Sequence, residues 1–176
     1  RAALSPRPRY NQTASRRAGD AVNLILRPAL AAALSLVAKL HAECFPDDAW
    51  NSSSLATVLA MPGADGRICY GADGRQCGLV LDQCLGPDGE ILTLGVAPAW
   101  RRGGIARVLL QDLIVRARDG GALRLLLEVA ADNTAALALY TSFGFAQQGI
   151  RRHYYRRAQG PSVDAWRLCL PLLSPA

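Results

Sequence analysis

The segment Arg101-Arg102-Gly103-Gly104-Ile105-Ala106 has the residue types and the position to hold an anion. It follows an apolar run, Ile91 to Val96, and a turn at Pro98, and it opens a repeat of apolar residues at helical spacing from Ile105 to Ala117. At a helix start the first amides have no intrahelical acceptor and the helix dipole is positive, so a phosphate is stabilised there. Gly103 and Gly104 let such a group approach the backbone without meeting a Cβ, and Ala106 keeps the same face open. The spacing Arg101-x-x-Gly104-x-Ala106 has neither the lysine of a P-loop nor the third glycine of a dinucleotide loop. A plain turn would use the same glycines.

A second cluster lies downstream. Glu128 sits inside Leu123 to Val129, a run apolar enough for a strand covered on both faces. A carboxylate there is either paired with an arginine or capping backbone amides, or it is a general base acting directly or through water. Asn133 and Tyr140 are seven residues apart, two helical turns, and so share one helix face. Asn133 reads as the cap of that helix, as a polar contact to a ligand, or as both; Tyr140 reads as core or as a functional phenol.

Together the two segments resemble the two signatures of the GNAT superfamily of N-acetyltransferases. The run Leu127-Glu128-Val129, Asn133, Ala135-Ala136, Ala138-Leu139-Tyr140, Gly144-Phe145 and Ile150 to Tyr155, with Cys44-Phe45-Pro46 and Trp50 earlier, is similar to its RimI-like branch, which acetylates the N-terminal alanine of a small-subunit ribosomal protein. The likeness covers about residues 22 to 173. It departs at Gly95, where a bulkier residue is usual, at Gly103, usually Arg or Lys, and at Ala106, more often Gly.

The resemblance implies acetyl-coenzyme A as cosubstrate, in a cleft where two parallel strands splay. Leu94, Gly95 and Val96 would line the pantetheine, Arg101 to Ala106 would hold the pyrophosphate, and Asn133 would meet the pantetheine amides. Glu128 would be the base, and Tyr140 would protonate the departing thiolate. Phe45, Pro46, Trp50, Tyr154 and Tyr155 would wall the peptide groove, although Tyr154 and Tyr155 could equally cover a sheet edge and Trp50 staple a helix. No cysteine falls in either signature, so direct attack without a covalent acetyl-enzyme is expected. Removing a proton from an α-amine near pH 7 costs roughly 1 kcal/mol, against about 4 to 5 for a lysine, so a modest base suffices for an N-terminal amine. The alternatives are an acetyltransferase for lysine side chains or small-molecule amines, and a non-catalytic coenzyme A module. The chain shows no acidic run of the kind a polycation would need.

Composition bounds these readings. The chain has 176 residues and is 51% hydrophobic, enough for one domain, expected over residues 21–176 behind a disordered basic tail over 1–20. Arg1, Arg7, Arg9, Arg16 and Arg17 all precede the first acid, Asp20, so most of the net charge of +6 belongs to the tail. Arg151, Arg152, Arg156 and Arg157 read as a solvated hairpin face; no aromatic-interleaved platform accompanies them, and no direct nucleic-acid partner is expected. No apolar run reaches the roughly 18 residues of a membrane span. The tail has no apolar core for a secretory signal. Five cysteines without a Cys-x-x-Cys pair, and two histidines, suit reduced thiols, a cytoplasmic location and no metal.

Periodicity and turn residues predict the elements that must position the two clusters. Strand Val22 to Leu26 leads to a helix from Pro28 to Cys44, a loop from Phe45 to Trp50, and a second helix capped within Ser52 to Ser54 and ending at Leu59. Turns at Gly63 to Gly66 and Gly71 to Gly74 flank strand Ile68 to Tyr70. Strand Cys77 to Cys84 and the hairpin turn Gly86 to Gly89 lead into Ile91 to Val96. A helix from Ile105 to Arg118, strand Leu123 to Val129, a helix capped by Asp132 or Asn133 and ended by Gly144, and strands Phe145 to Ile150 and Ala165 to Leu170 complete an α/β fold, a mixed sheet flanked by about four helices.

Overall fold

The computed structural model describes residues 24–29, 34–157 and 160–172. The expected tail over 1–20, and the parts of the first strand and helix at 22–23 and 30–33, lie outside the described residues. Seven strands form one sheet: β1 (Ile25–Pro28), β2 (Ala64–Tyr70), β3 (Gln76–Leu85), β4 (Asp88–Val96), β5 (Arg124–Ala130), β6 (Ala146–Tyr155) and β7 (Val163–Pro171). The helices are α1 (Leu34–Cys44), α2 (Ser52–Leu59), α3 (Ile105–Asp119) and α4 (Thr134–Ser142), with a short 3-10 turn at Pro98–Trp100. Spatial order is β1-β2-β3-β4-β5-β7-β6. Among the described residues only β4 and β5 pair in parallel, and α3 is their crossover.

Alternation along the central strands sends side chains to two layers. Leu79 and Leu81 of β3 join Val37, Leu40 and Leu55 of α1 and α2. Val80 of β3 and Leu125, Leu127 and Val129 of β5 join the α3 stripe of Ile105, Leu109, Leu110, Leu113 and Ala117. That stripe recurs at helical spacing, which is why α3 lies flat on the sheet. A Cβ at Gly78 would lie 2.9 Å from Ile105 Cγ2 and 3.0 Å from the Gly95 carbonyl, so the bare glycine lets α3 settle against β3.

Several local expectations change in the tertiary context. Pro28 ends β1, paired with Arg67, and does not open a helix; a proline is tolerated on an edge strand, where the missing N–H is not needed. Ala64 to Gly66 continue β2 because they pair with Gln83 to Leu81. Asn51 caps α2, its side chain accepting the Ser54 N–H at 2.8 Å. Arg151 to Tyr155 extend β6, so Arg151 and Arg152 lie on an edge strand, while Arg156 and Arg157 follow its end. No helix among the described residues is long and apolar enough to cross a membrane.

One ion-pair network ties β2, β3 and α3 together. Arg116 of α3 donates to Asp82 at 2.9 Å, to Asp65 at 3.1 Å and to Asp112 one turn back at 2.8 Å, and Arg67 pairs with Asp65 at 2.9 Å. Asp82 is only 2% exposed, and a buried carboxylate must be matched. Arg116→Leu should therefore cost about 3 to 5 kcal/mol and lower the melting temperature by on the order of 10 °C. Adding Asp82→Leu to the same chain should recover most of that loss, as read by thermal unfolding.

Candidate functional site

β4 and β5 pair only at Asp88↔Arg124, Gly89↔Leu125 and Glu90↔Leu126, and then part. The cause is local. On the far side of β4, Leu81 pairs with Thr93 but Asp82 with Ile91, so Leu92 is an extra residue that bends β4 away from β5. Ile91 to Leu94 and Leu127 to Ala130 then become opposite walls of a cleft of about 640 Å³. Beyond Glu90, the backbone edges facing across the gap have no strand partner and are open to a ligand.

At one end of this cleft the chain turns through two left-handed residues, Arg102 (φ 62°) and Gly104 (φ 80°), before α3 begins. Gly104 is the N-cap and contributes no side chain, so the first amides of α3 remain free to meet an anion. Positive φ at Gly104 is the conformational demand that glycine meets at least cost. Arg101 lines the cleft, but its guanidinium donates to the carbonyls of Val96 (3.2 Å) and Cys44 (3.3 Å), tying the end of β4 to the end of α1. Ile105 is turned into the core, at 2% exposure. Leu94 lines the cleft, as does Asn133, whose side chain caps α4 by accepting the Ala136 N–H at 3.1 Å. Gly95, Val96, Arg102 to Gly104 and Ala106 continue past the cleft lining toward the α3 N-terminus.

Glu128 and Tyr140 both line the gap but approach it from different layers. Tyr140 of α4 packs with Leu127 and Val129 and lies edge-on to Phe145, 5.4 Å between ring centroids. Glu128 lies between Leu127 and Val129 in sequence and so points to the opposite face of β5. Its carboxylate accepts from Arg151 Nη1 at 2.9 and 3.1 Å, and Arg167, its cross-strand partner on β7, stands 3.8 Å away. The arginine pairing foreseen for this position is thus present. Burial pushes the Tyr140 phenol well above its ordinary pKa, with Tyr155 adding to the shift. Tyr155 is raised too, first by burial and then by the Glu128 charge, and its hydroxyl donates to the Glu128 carbonyl at 3.3 Å.

Phe45, Pro46 and Trp50, on the loop between α1 and α2, face Tyr155 and Arg157 across the remaining end. Tyr154 is not among the lining residues. It is 44% exposed and lies against the Arg151 guanidinium, 3.9 Å from ring centroid to Cζ. Neighbouring residues of a strand face opposite ways, so Tyr154 and Tyr155 cannot both point into one groove.

Five residues of the cleft lining are given no role in the site by the motifs. His41 is buried in the wall at 2% exposure. Cys44 also lines it, and burial pushes its thiol up to about 11 against the opposing pull of Arg101, so it is a thiol and a poor nucleophile at neutral pH. Asp47 and Asp48 face the cleft, and so does Asp132, paired with Arg157 at 2.6 and 2.8 Å. The acidic lining that no run in the sequence announces is assembled from separate segments.

A model of the acetyltransferase (GNAT) family matches residues 34–145. The chain is 40% identical over 101 residues to the [ribosomal protein bS18]-alanine N-acetyltransferase of Salmonella typhimurium, covering 57% of this chain and 68% of that protein. It is 40% identical over 124 residues to the N-alpha-acetyltransferase RimI of Mycobacterium tuberculosis, covering 68% and 76%. The crystal structure of the ribosomal-protein-S18-alanine N-acetyltransferase from Escherichia coli superposes with a TM-score of 0.79 at 25% identity, over 87% of this chain and 96% of that one.

Gly95 shows how tightly the cleft wall is built. A Cβ there would lie 2.8 Å from Cys44 Cβ and from Phe45 Cε2 and 3.0 Å from Cys44 Sγ, so the bare glycine lets α1 and its loop rest directly on β4. Gly95→Ala should cost about 1 to 3 kcal/mol by overpacking, read as a lower urea midpoint with unchanged slope.

Proposed function

Because the chain belongs to the acetyltransferase (GNAT) family and is an acetyl-coenzyme A-dependent N-acetyltransferase, we propose that its acceptor is the α-amine of a protein N-terminus, the N-terminal alanine of a small-subunit ribosomal protein. One observation carries the reading. The gap between β4 and β5 has Glu128 and Tyr140 on its walls and opens onto a groove edged by Phe45, Trp50 and Tyr155. The 40% identity to the Salmonella typhimurium and Mycobacterium tuberculosis proteins supports it. A ribosomal acceptor, with five free thiols, also favours a cytoplasmic site of action.

In this reading the free amides at the start of α3 hold the pyrophosphate, and the bare backbone edge of β4 around Leu94 pairs with the pantetheine. The α-ammonium releases one proton to solvent, and the neutral amine attacks the thioester carbonyl while Glu128, directly or through water, takes the second proton that the nitrogen must lose to become an amide. The C–N bond forms as the C–S bond breaks, and Tyr140 protonates the departing thiolate. Burial keeps the Tyr140 phenol protonated at neutral pH but makes it a weaker acid than a free phenol, so its proton passes to the thiolate only as the C–S bond breaks and charge builds on sulfur. Part of the accepting capacity of Glu128 is taken by Arg151, which suits an α-amine, whose deprotonation near pH 7 costs roughly 1 kcal/mol. The thiol form of Cys44 favours direct attack over an acetyl-cysteine.

A second reading draws on the carboxylates. Asp47 and Asp48 at the acceptor end would suit a lysine side chain or a polycationic small molecule.

Glu128→Gln and Tyr140→Phe should each lower turnover by roughly 10²- to 10⁴-fold with little change in acetyl-coenzyme A affinity, measured at saturating coenzyme across pH. Wild-type turnover in either variant would remove that residue from the mechanism. The acceptor is tested by mass spectrometry of two peptides incubated with enzyme and acetyl-coenzyme A. A free N-terminal alanine peptide should be acetylated, and the same peptide blocked at its N-terminus but carrying an internal lysine should be poor, because lysine gives up its proton at about 3 to 4 kcal/mol more. Acetyl found mainly on lysine, or only on an added polyamine, would put the second reading in place of the first.

A further inference from the structure

His41 is the one histidine in the cleft wall, and the acetyl-transfer chemistry above does not use it. It lies in α1, 2% exposed, between two aromatic rings of the following loop: Trp50 stacks on it at 5.0 Å and 18°, and Phe45 is tilted against it at 4.8 Å. The backbone N–H of Trp50 donates to its Nδ1 at 3.1 Å. An amide nitrogen can only donate, so Nδ1 carries no proton and a neutral ring has its proton on Nε2. That nitrogen faces Thr93 Oγ1 of β4 at 3.4 Å. One imidazole therefore bridges the loop that edges the acceptor groove and the strand that borders the cleft.

We propose that His41, as the neutral Nε2–H tautomer, is a positioning residue that pins the Phe45–Trp50 loop against β4 and so sets acceptor affinity. It rests on the reading that this loop walls the acceptor site. The pin has a proton-dependent failure mode. Protonating Nδ1 puts a donor against the Trp50 N–H, breaks that bond and leaves two donors facing each other, which frees the loop's far end. The charged group that faces the ring is Asp48 of the same loop; β4 presents the uncharged Thr93, and in α1 the neighbour is Cys44, whose carbonyl carries the Arg101 guanidinium. Burial, the larger influence, lowers the His41 pKa, and Asp48 partly opposes it. The neutral pin is then complete above the ordinary histidine pKa of 6.5, and it is lost as the pH falls through the lowered value of the folded protein.

The test pairs an acceptor-independent observation with kinetics. In a ¹H–¹⁵N spectrum of the imidazoles, His41 should show a protonated Nε2 and an unprotonated Nδ1 at neutral pH, and acidification should move the Trp50 amide together with the ring. In kinetics, His41→Phe, which keeps a ring but no acceptor, should raise the acceptor KM about tenfold while leaving kcat and the acetyl-coenzyme A KM near wild type. His41→Asn, which returns an acceptor near the Nδ1 position, should recover most of that change. The acceptor KM of the wild type should rise at acid pH, and that of His41→Asn should not. The acceptor used is whichever one the wild type turns over, so a failed choice of substrate is seen in the wild type and not confused with a failed pin. A proton on Nδ1 at neutral pH overturns the proposal. So does an unchanged acceptor KM in His41→Phe, or an Asn variant as impaired as the Phe one.

Discussion

The parting of β4 from β5 is the constraint on which the remaining architecture turns. A parallel pair normally stays hydrogen-bonded along its length, because unpaired backbone groups away from water are costly. Here pairing ends after Glu90↔Leu126, at the point where the Leu92 bulge bends β4. The sheet remains continuous because each diverging strand keeps its other neighbour: β4 stays paired to β3 through Gly78↔Val96, and β5 to β7 through Ala130↔Ala165. The gap is thus held open from both sides by antiparallel ladders that run on past it, and it brings two bare backbone edges to the cleft.

Holding such a gap requires rigidity around it. α3 packs on β3 and β4, and Arg116 fixes it to β2 through Asp65 and to β3 through the buried Asp82, while Asp112 of α3 itself holds the guanidinium. The same crossover leaves its N-terminus, with Gly104 as cap, at the end of β4. The uncapped amides at the start of α3 and the open edge of β4 are therefore adjacent as a consequence of topology, the kind of place where ligands meet α/β sheets at the carboxyl ends of diverging strands.

The opposite layer governs the other mouth of the cleft. Gly95 allows Cys44 and Phe45 to rest on β4, Arg101 holds the Cys44 carbonyl, and His41 stacks on Trp50. These contacts converge on the short segment between α1 and α2, whose aspartates and aromatics edge the groove. One end of the cleft is built from strands and helix termini; the other is built from a loop packed onto them.

The element order and the position of the helix opening at Ile105 were legible in the residues alone, because glycines, prolines and apolar periods act within a few positions of where they stand. So was the convergence of Glu128, Asn133 and Tyr140 on one cleft, since their spacing is set by one strand and one helix. What the linear order could not carry was anything decided by residues far apart in the chain. Pro28 became a strand end because Arg67 lies beside it, and Tyr154 left the groove because pairing of β6 with β7 fixed which way that strand faces. Arg101 was taken up by two carbonyls that no motif places near it, and the acidic and imidazole lining of the cleft came from segments separated by dozens of residues. Local chemistry determined which elements form and which residues stand at their ends; only the tertiary structure decided which of those side chains share a space, since burial, register and ion pairing are properties of neighbours across the fold.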